Sequence, residues 1–585
     1  MHMVSQINYY YWKDEGFSVL KLDMRNAFNV VLRQAFLSEC SLHFPELYPW
    51  VLWCYGQHPV LWHPMGTLTS ECGVQQGDPL GPLLFCLVLN ILVKDICSDP
   101  NCANLSFHNW YLDDGVVAGP SFAVQKVLAL IEEKGPPLGL LVNLSKCEVF
   151  SPTDVNLFGG EIIRSSSPNI VILGVPIGDL EFCSNYILNK CASAKLLLHK
   201  LVEVGAQDAQ VALVLLRLCG SFCKLAHLAR ATPPSLSIKA FELFDIDVRH
   251  CFSQCTAVDT SVEAWLQAQL SLSRGGLGLR SLSSHAAAAY IASLCSSGFS
   301  SLSSLYLTAA IGKFNSSVSP SDVVSVEGLA QQPPIQKALS AKIDDFQFNQ
   351  LFNSSSLADR ARLLSISSPH ASSWLSVVPS EGLGLHLNPD QFQVAIKWWL
   401  GLDTSGGSLC SLCPDAVLDP LGHHASTCKR GGDVVFRHNR LRDVVAESCR
   451  LAHLSVKVEA GNNLTPDHSH TRPADVLVQN WSRGKPAAFD ICVTSPLNTL
   501  TLSEAGVCAG AAALAGEARK HSANDEKCGD LGWICVPLVA ETYGAWGPEA
   551  MACFCQLASR LSIRLQKPKS VVLHELYGRL NTCLV

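Results

Sequence analysis

Asp113 and Asp114 stand next to each other between two short stretches that read as β-strands. Ala103 to Trp110 suits one strand and Gly115-Val116-Val117-Ala118-Gly119 resumes another, so Tyr111-Leu112-Asp113-Asp114 falls on a tight hairpin. Two neighbouring carboxylates are costly to bury unless a positive charge offsets them. Mg²⁺ does so most simply, because it takes hard oxygen ligands, usually one or two carboxylates together with phosphate. A third acid should then sit nearby. Asp23 is the candidate, at the end of the apolar strand Ser18-Val19-Leu20-Lys21-Leu22.

Between these acids, Gly73-Val74-Gln75-Gln76-Gly77-Asp78-Pro79 is a Gly- and Pro-punctuated turn opening an apolar helix that runs past Asn90. Strand with Asp, turn and helix, then hairpin with Asp-Asp: in this order the segment resembles the palm of a reverse transcriptase. On that resemblance Asp23, Asp113 and Asp114 hold two Mg²⁺ ions, while Gln76, Gly77, Asp78, Pro79 and Tyr111 position template and nucleotide. Gly139 to Lys146 resembles the turn that follows, with Lys146 a proton donor to the leaving pyrophosphate, and Ile172-Leu173-Gly174-Val175 resembles the primer-grip hairpin. Five elements in order over about 155 residues are far more specific than a lone YxDD box. The family carries basic fingers before its first acid, whereas 22 residues precede Asp23. The resemblance therefore implies an N-terminally truncated chain with weakened polymerisation, and leaves a catalytically defective nucleic-acid-binding remnant as the alternative.

A chain of 585 residues implies two to four domains, and 48% apolar with 16% charged residues implies folded ones. Met1 to Gln6 lacks a basic region before an apolar core, and the apolar run Leu80 to Val93 is interrupted by Pro82 and Asn90. Neither reads as a leader or a bilayer span, so the expectation is an intracellular, nuclear protein with no membrane partner. The 25 cysteines accordingly read as mostly reduced and buried. A net charge of −7 is unusual for a nucleic-acid binder. Two basic stretches could still face phosphate: Lys429, Arg430, Arg437, Arg440, Arg442 and Arg450, then Arg560, Arg564, Lys567, Lys569 and Arg579. Phe44, Tyr48, Trp50, Trp53, Tyr55 and Trp62 read as core aromatics. From about residue 183 the pattern turns helical, and on the resemblance this is a thumb. The Ser-rich stretches 296–325 and 353–380 read as surface loops or linkers.

One cysteine spacing is ordered: Cys410 and Cys413, then His423-His424, then Cys428. Three thiolates and one imidazole make a closed, structural Zn²⁺ site, with His423 slightly preferred over His424. A second acidic group follows, with Asp475 at the start of one strand and Asp490 on the next. Two strand-end acids can hold Mg²⁺, which polarises a phosphodiester, and a nearby lysine orients the attacking water. These segments resemble the PD-(D/E)xK nucleases. Cys492 occupies the usual lysine slot, so Lys520 on the helix from Ala511 is the substitute, with Glu517 a lesser candidate.

Together the segments resemble non-LTR retrotransposons with a restriction-like endonuclease. The expected fold is α+β: a reverse-transcriptase palm at 1–182, a helical thumb and linker at 183–385, a zinc-knuckle segment at 386–430, and an α/β nuclease at 431–585. The resemblance implies an RNA-directed DNA polymerase and endonuclease, a nucleotidyltransferase acting in target-primed reverse transcription. Its partners would be an RNA template, a DNA target that serves as primer, and dNTPs.

Overall fold

The computed structural model describes residues 17–151, 157–165, 169–297, 305–413, 416–460 and 474–585. Met1 to Gln6 and the Arg472-Pro473 step before Asp475 lie outside the described residues. The fold is mixed α+β, and the chain forms two compact units, the first mainly up to Asn189 and the second mainly from Lys190 onward.

The first unit is a five-stranded sheet with helices. Its elements are β1 (Phe17–Leu22), α1 (Arg33–His43), α2 (Tyr48–Tyr55), β2 (Val60–His63), β3 (Gly66–Thr69), α3 (Gly81–Ser98), β4 (Phe107–Tyr111), β5 (Asp114–Pro120), α4 (Ser121–Lys134), β6 (Glu148–Phe150), β7 (Ile163–Ser165), β8 (Ile170–Ile172) and β9 (Val175–Ile177). The sheet order is β4-β5-β1-β6-β7, antiparallel except for the β6–β7 pair. Alternation along β1 sends Leu20 and Leu22 into a core shared with α1, α3 and α4, and Phe17 and Val19 into another under the β8–β9 hairpin. Covered on both faces, β1 is apolar almost throughout and ends on its first acid.

Two expectations fail here. Pro82 does not interrupt the apolar run: it sits in the first turn of α3, where a missing N–H costs nothing. At 18 residues α3 is long and apolar enough to cross a membrane by length and composition, as is Ala209–Ala231. Leu84, Phe85, Val88, Leu92 and Ile96 of α3 nevertheless lie in the core of the first unit. The aromatics of 44–62 are mostly not core. α2 has two turns and one inward face, taken by Val51 and Tyr55, which leaves Trp50 and Trp53 outside at 56% and 73% exposure. Trp62, on the exposed β2–β3 hairpin, is 87% exposed.

Between Leu180 and Trp399 the described residues form no strand, only helices and their connections. The stretch 353–380 is no surface linker: Ala361, Leu363, Ile366, Ala371 and Trp374 are buried, since Ser356 caps the helix Leu357–Ile366 and its apolar face turns inward. After residue 430 come α5 (Asp433–Leu451), β10 (Val456–Ala460), β11 (Ala474–Ser482), β12 (Lys485–Thr494), α6 (Ala511–Asp530), β13 (Ile534–Glu541), α7 (Pro548–Leu565) and α8 (Lys569–Leu584). The strands pair in that order, antiparallel except for β12–β13. A parallel pair needs a long crossover, and here α6 supplies it.

Candidate active sites

In the first unit, β4 and β5 are joined by a two-residue turn, with Tyr111 opposite Asp114. Leu112 takes the left-handed conformation (φ 57°) that so tight a turn demands. β1 pairs alongside with Leu22 opposite Gly115, so Asp23 leaves the sheet beside that turn. Burial pushes the Asp114 carboxyl above its usual range, the charges of Asp113 and Asp23 add to this, and Lys21 opposes it. The structure thus sets three acids near enough to act on one another, although their oxygens do not all come within 4.8 Å of one another. Such crowding of carboxylates suits Mg²⁺, which would relieve it. Lys146 is exposed on the short 3₁₀ turn Leu144–Lys146, tied to the same strand end by the Asn143 N–H donating to the Asp23 carbonyl at 2.8 Å. The primer-grip resemblance falls on the β8–β9 hairpin, whose turn residues Leu173 and Gly174 both have positive φ.

Gln76, Gly77 and Pro79 are exposed, but Asp78 is occupied in shaping their turn. One carboxylate oxygen accepts the Tyr55 hydroxyl and the other accepts the Leu80 N–H at 2.9 Å. Burial and the bond to Asp78 push the Tyr55 phenol up to about 12, so it stays a donor at neutral pH. Arg33, which sequence reasoning missed, holds the preceding strand of the turn. Its buried guanidinium donates to the carbonyls of Gly73 (3.1 Å), Ser70 (2.6 Å), Gln57 (3.3 Å) and Cys72 (3.3 Å). Arg33→Met should leave those carbonyls unpaired and cost about 3 kcal/mol. The loss should be seen as faster hydrogen exchange across residues 55–80; unchanged exchange would refute it.

In the second unit, Arg483 and Gly484 turn β11 into β12 with φ values of 49° and 79°. Val476 pairs with Phe489, so the register one step on sets Asp475 across from Asp490. Lys520 reaches this pair from α6, its Nζ 2.7 Å from Asp490 Oδ1, and Asn524 one turn later donates to Asp490 Oδ2 at 2.6 Å. Asp475 Oδ2 accepts the Ile491 N–H at 2.8 Å and lies 3.1 Å from His438 Nε2 of α5. Burial raises the Asp490 carboxyl; the bonds from His438 and Ile491 outweigh burial and lower that of Asp475, while His438 is raised by its bond to Asp475. Two acids, a lysine and a histidine on four elements form a compact acidic pair balanced by cations. Asp475 and Asp490 are the residues that would hold Mg²⁺ here, and the metal would supply charge to a phosphodiester. His438 and Asn524 carry no spacing signal in the sequence. Glu517 is not part of the group: it is 2% exposed, and its Oε1 accepts the Glu549 and Ala550 N–H groups at 3.1 and 3.3 Å, capping α7.

The Cys spacing also closes, with one correction. Cys410, Cys413, Cys428 and His424, not His423, bring their ligand atoms within 4.8 Å of one another. Asp419 accepts both backbone N–H groups at the start of the short helix His423–Thr427. From that start His424 is one turn before Cys428 and shares its face, whereas His423 is rotated away and its Nδ1 meets Ser495 Oγ at 2.8 Å. His424 Nε2 is buried and has no hydrogen-bond partner, as a lone pair kept for a metal would be. Three sulfurs and that nitrogen fit Zn²⁺.

Several residues of the basic stretches are engaged by partners within the fold. Arg437 donates to the Ser426 carbonyl, Arg442 pairs with Glu459, Arg560 caps Trp481, Arg579 pairs with Glu447 and Lys567 with Glu575.

Residues 8–177 match the family described as reverse transcriptase (RNA-dependent DNA polymerase), so the palm-like unit carries a reverse-transcriptase domain. Among solved structures, the telomerase of Candida albicans in complex with a TWJ fragment of telomeric RNA is 11% identical, over 44% of this chain and 46% of its own, at a TM-score of 0.24. The corresponding Candida tropicalis complex is 12% identical, over 53% and 51%, at 0.28. The chain thus spans about half the length of each. No curated protein matches the sequence.

Proposed function

We propose that the chain is an RNA-directed DNA polymerase fused to a Mg²⁺-dependent DNA endonuclease, acting in target-primed reverse transcription of a non-LTR retrotransposon. The observation that carries this reading is the pairing, on one chain, of a reverse-transcriptase domain holding Asp23, Asp113 and Asp114 with a second acid pair served by Lys520. The first three acids would bind Mg²⁺, with Gln76, Gly77, Pro79 and Tyr111 lining the path of template and nucleotide and Lys146 a proton donor. Asp475 and Asp490 would bind Mg²⁺ for the nick, with Lys520 steering water and His438 and Asn524 holding the acids in place. When bound, the metal supplies charge for the developing oxyanions of phosphoryl transfer. RNA template, target DNA and dNTPs are the substrates, the nucleus the place of action, and the domain limits are those read from the sequence.

The test is a single reaction containing target plasmid, RNA template and dNTPs with Mg²⁺. The expected product is cDNA covalently joined to nicked plasmid; cDNA made only on a supplied primer would refute the fused role. For the Cys knuckle, His424→Gln should release about one equivalent of zinc and His423→Gln none. The reverse pattern would overturn the ligand set.

A further inference from the structure

We infer a second zinc site, formed by His521, Asp525 and Cys535, with the Cys528 thiol beside that of Cys535 but not within 4.8 Å of all three. The ligand atoms of His521, Asp525 and Cys535 lie within 4.8 Å of one another. His521, Asp525 and Cys528 follow at i, i+4 and i+7 on α6, one face of that helix. Cys535 comes from β13, where it pairs with Ala488. Its thiol contacts both Cys528 and Asp525.

The histidine geometry points the same way. His521 Nε2 is 2.6 Å from Glu549 Oε1, and Nδ1 is 2.8 Å from Asp525 Oδ1. A neutral imidazole that gives its proton to Glu549 turns a lone pair toward a carboxylate that has only lone pairs. A Zn²⁺ taken up there would accept the Nδ1 lone pair and an Asp525 oxygen, which must part slightly from their 2.8 Å contact to reach it. Two thiols, a carboxylate and an imidazole are a zinc donor set, and Glu549 is then the outer carboxylate that fixes the tautomer of a ligating histidine.

The site bears on its neighbours. Lys520 and Asn524 each precede a ligand by one residue, and both reach Asp490. A zinc holding His521 and Asp525 to β13 fixes the stretch of α6 that aims them.

The full chain should carry about two equivalents of zinc, falling to about one in both Cys535→Ser and His521→Gln. In Cys413→Ser the remaining metal, exchanged for Co²⁺, should show thiolate-to-cobalt absorption that disappears in the Cys413→Ser/His521→Gln double variant. His521 is partly exposed, so the His521→Gln single variant should stay folded by circular dichroism and its metal content is informative even if Cys535→Ser is not. Zinc content unchanged by His521→Gln would overturn the site and leave an imidazolium between two carboxylates. If the Cys410 cluster binds nothing, the total drops by one but the difference between wild type and His521→Gln remains, so the two readings fail separately.

Discussion

Asp114→Ala should reduce primer extension on an RNA template by about 10³-fold while plasmid nicking continues at the wild-type rate. Asp114 is the acid of the palm turn whose carboxyl is raised by burial and by both neighbouring acids, so it stands where their charges converge. A metal ion there stabilises transition-state charge by several kcal/mol, and each ~1.4 kcal/mol is a factor of ten in rate. Asp114 begins β5 at a turn and does not lie in the core, so the fold should survive its loss. Asp114→Asn separates charge from shape: it keeps the side chain and should be nearly as defective. Extension that persists in both variants would remove Asp114 from catalysis.

Asp490→Ala should abolish nicking, by a factor of at least about 10³ on the same metal argument, and leave primer extension intact. Lys520→Met tests the arrangement more finely. Asp490 is 7% exposed and receives Lys520 and Asn524 on its two oxygens. Without the ammonium, burial would raise the Asp490 carboxyl further, so the acid would take up a proton more readily and bind Mg²⁺ more weakly. Nicking by Lys520→Met should therefore recover partly as pH rises, whereas nicking by Asp490→Ala should not recover at any pH. A flat pH profile for Lys520→Met would mean that the lysine acts only on the attacking water. Wild-type nicking by Asp490→Ala would remove the second acid pair from the chemistry.

The legible parts of both sites were those written in contiguous chain. The two-residue turn at Leu112-Asp113, the strand that ends at Asp23 and the turn closed by Asp78 follow from period-two alternation and from Gly, Pro and Asp chemistry at turns. Asp475 and Asp490 stand opposite each other because a hairpin of fixed length joins them, and Lys520 was found by one helix pattern and one displaced lysine.

Sequence by itself determined the acids, their strands and the cysteine spacing, since each depends on residues a few positions apart. Tertiary structure decided which face of each helix meets what. The rotation of a helix about its axis is set by the surface it packs on, not by its own residues. That rotation puts His424 among the sulfurs and His423 against Ser495, buries Tyr55 while Trp50 and Trp53 stay outside, and turns His438 toward Asp475, 37 positions away. It also spends Glu517 on capping α7 and several of the basic residues on partners within the fold, because a buried helix end or a carboxylate takes whichever charge the fold brings within reach.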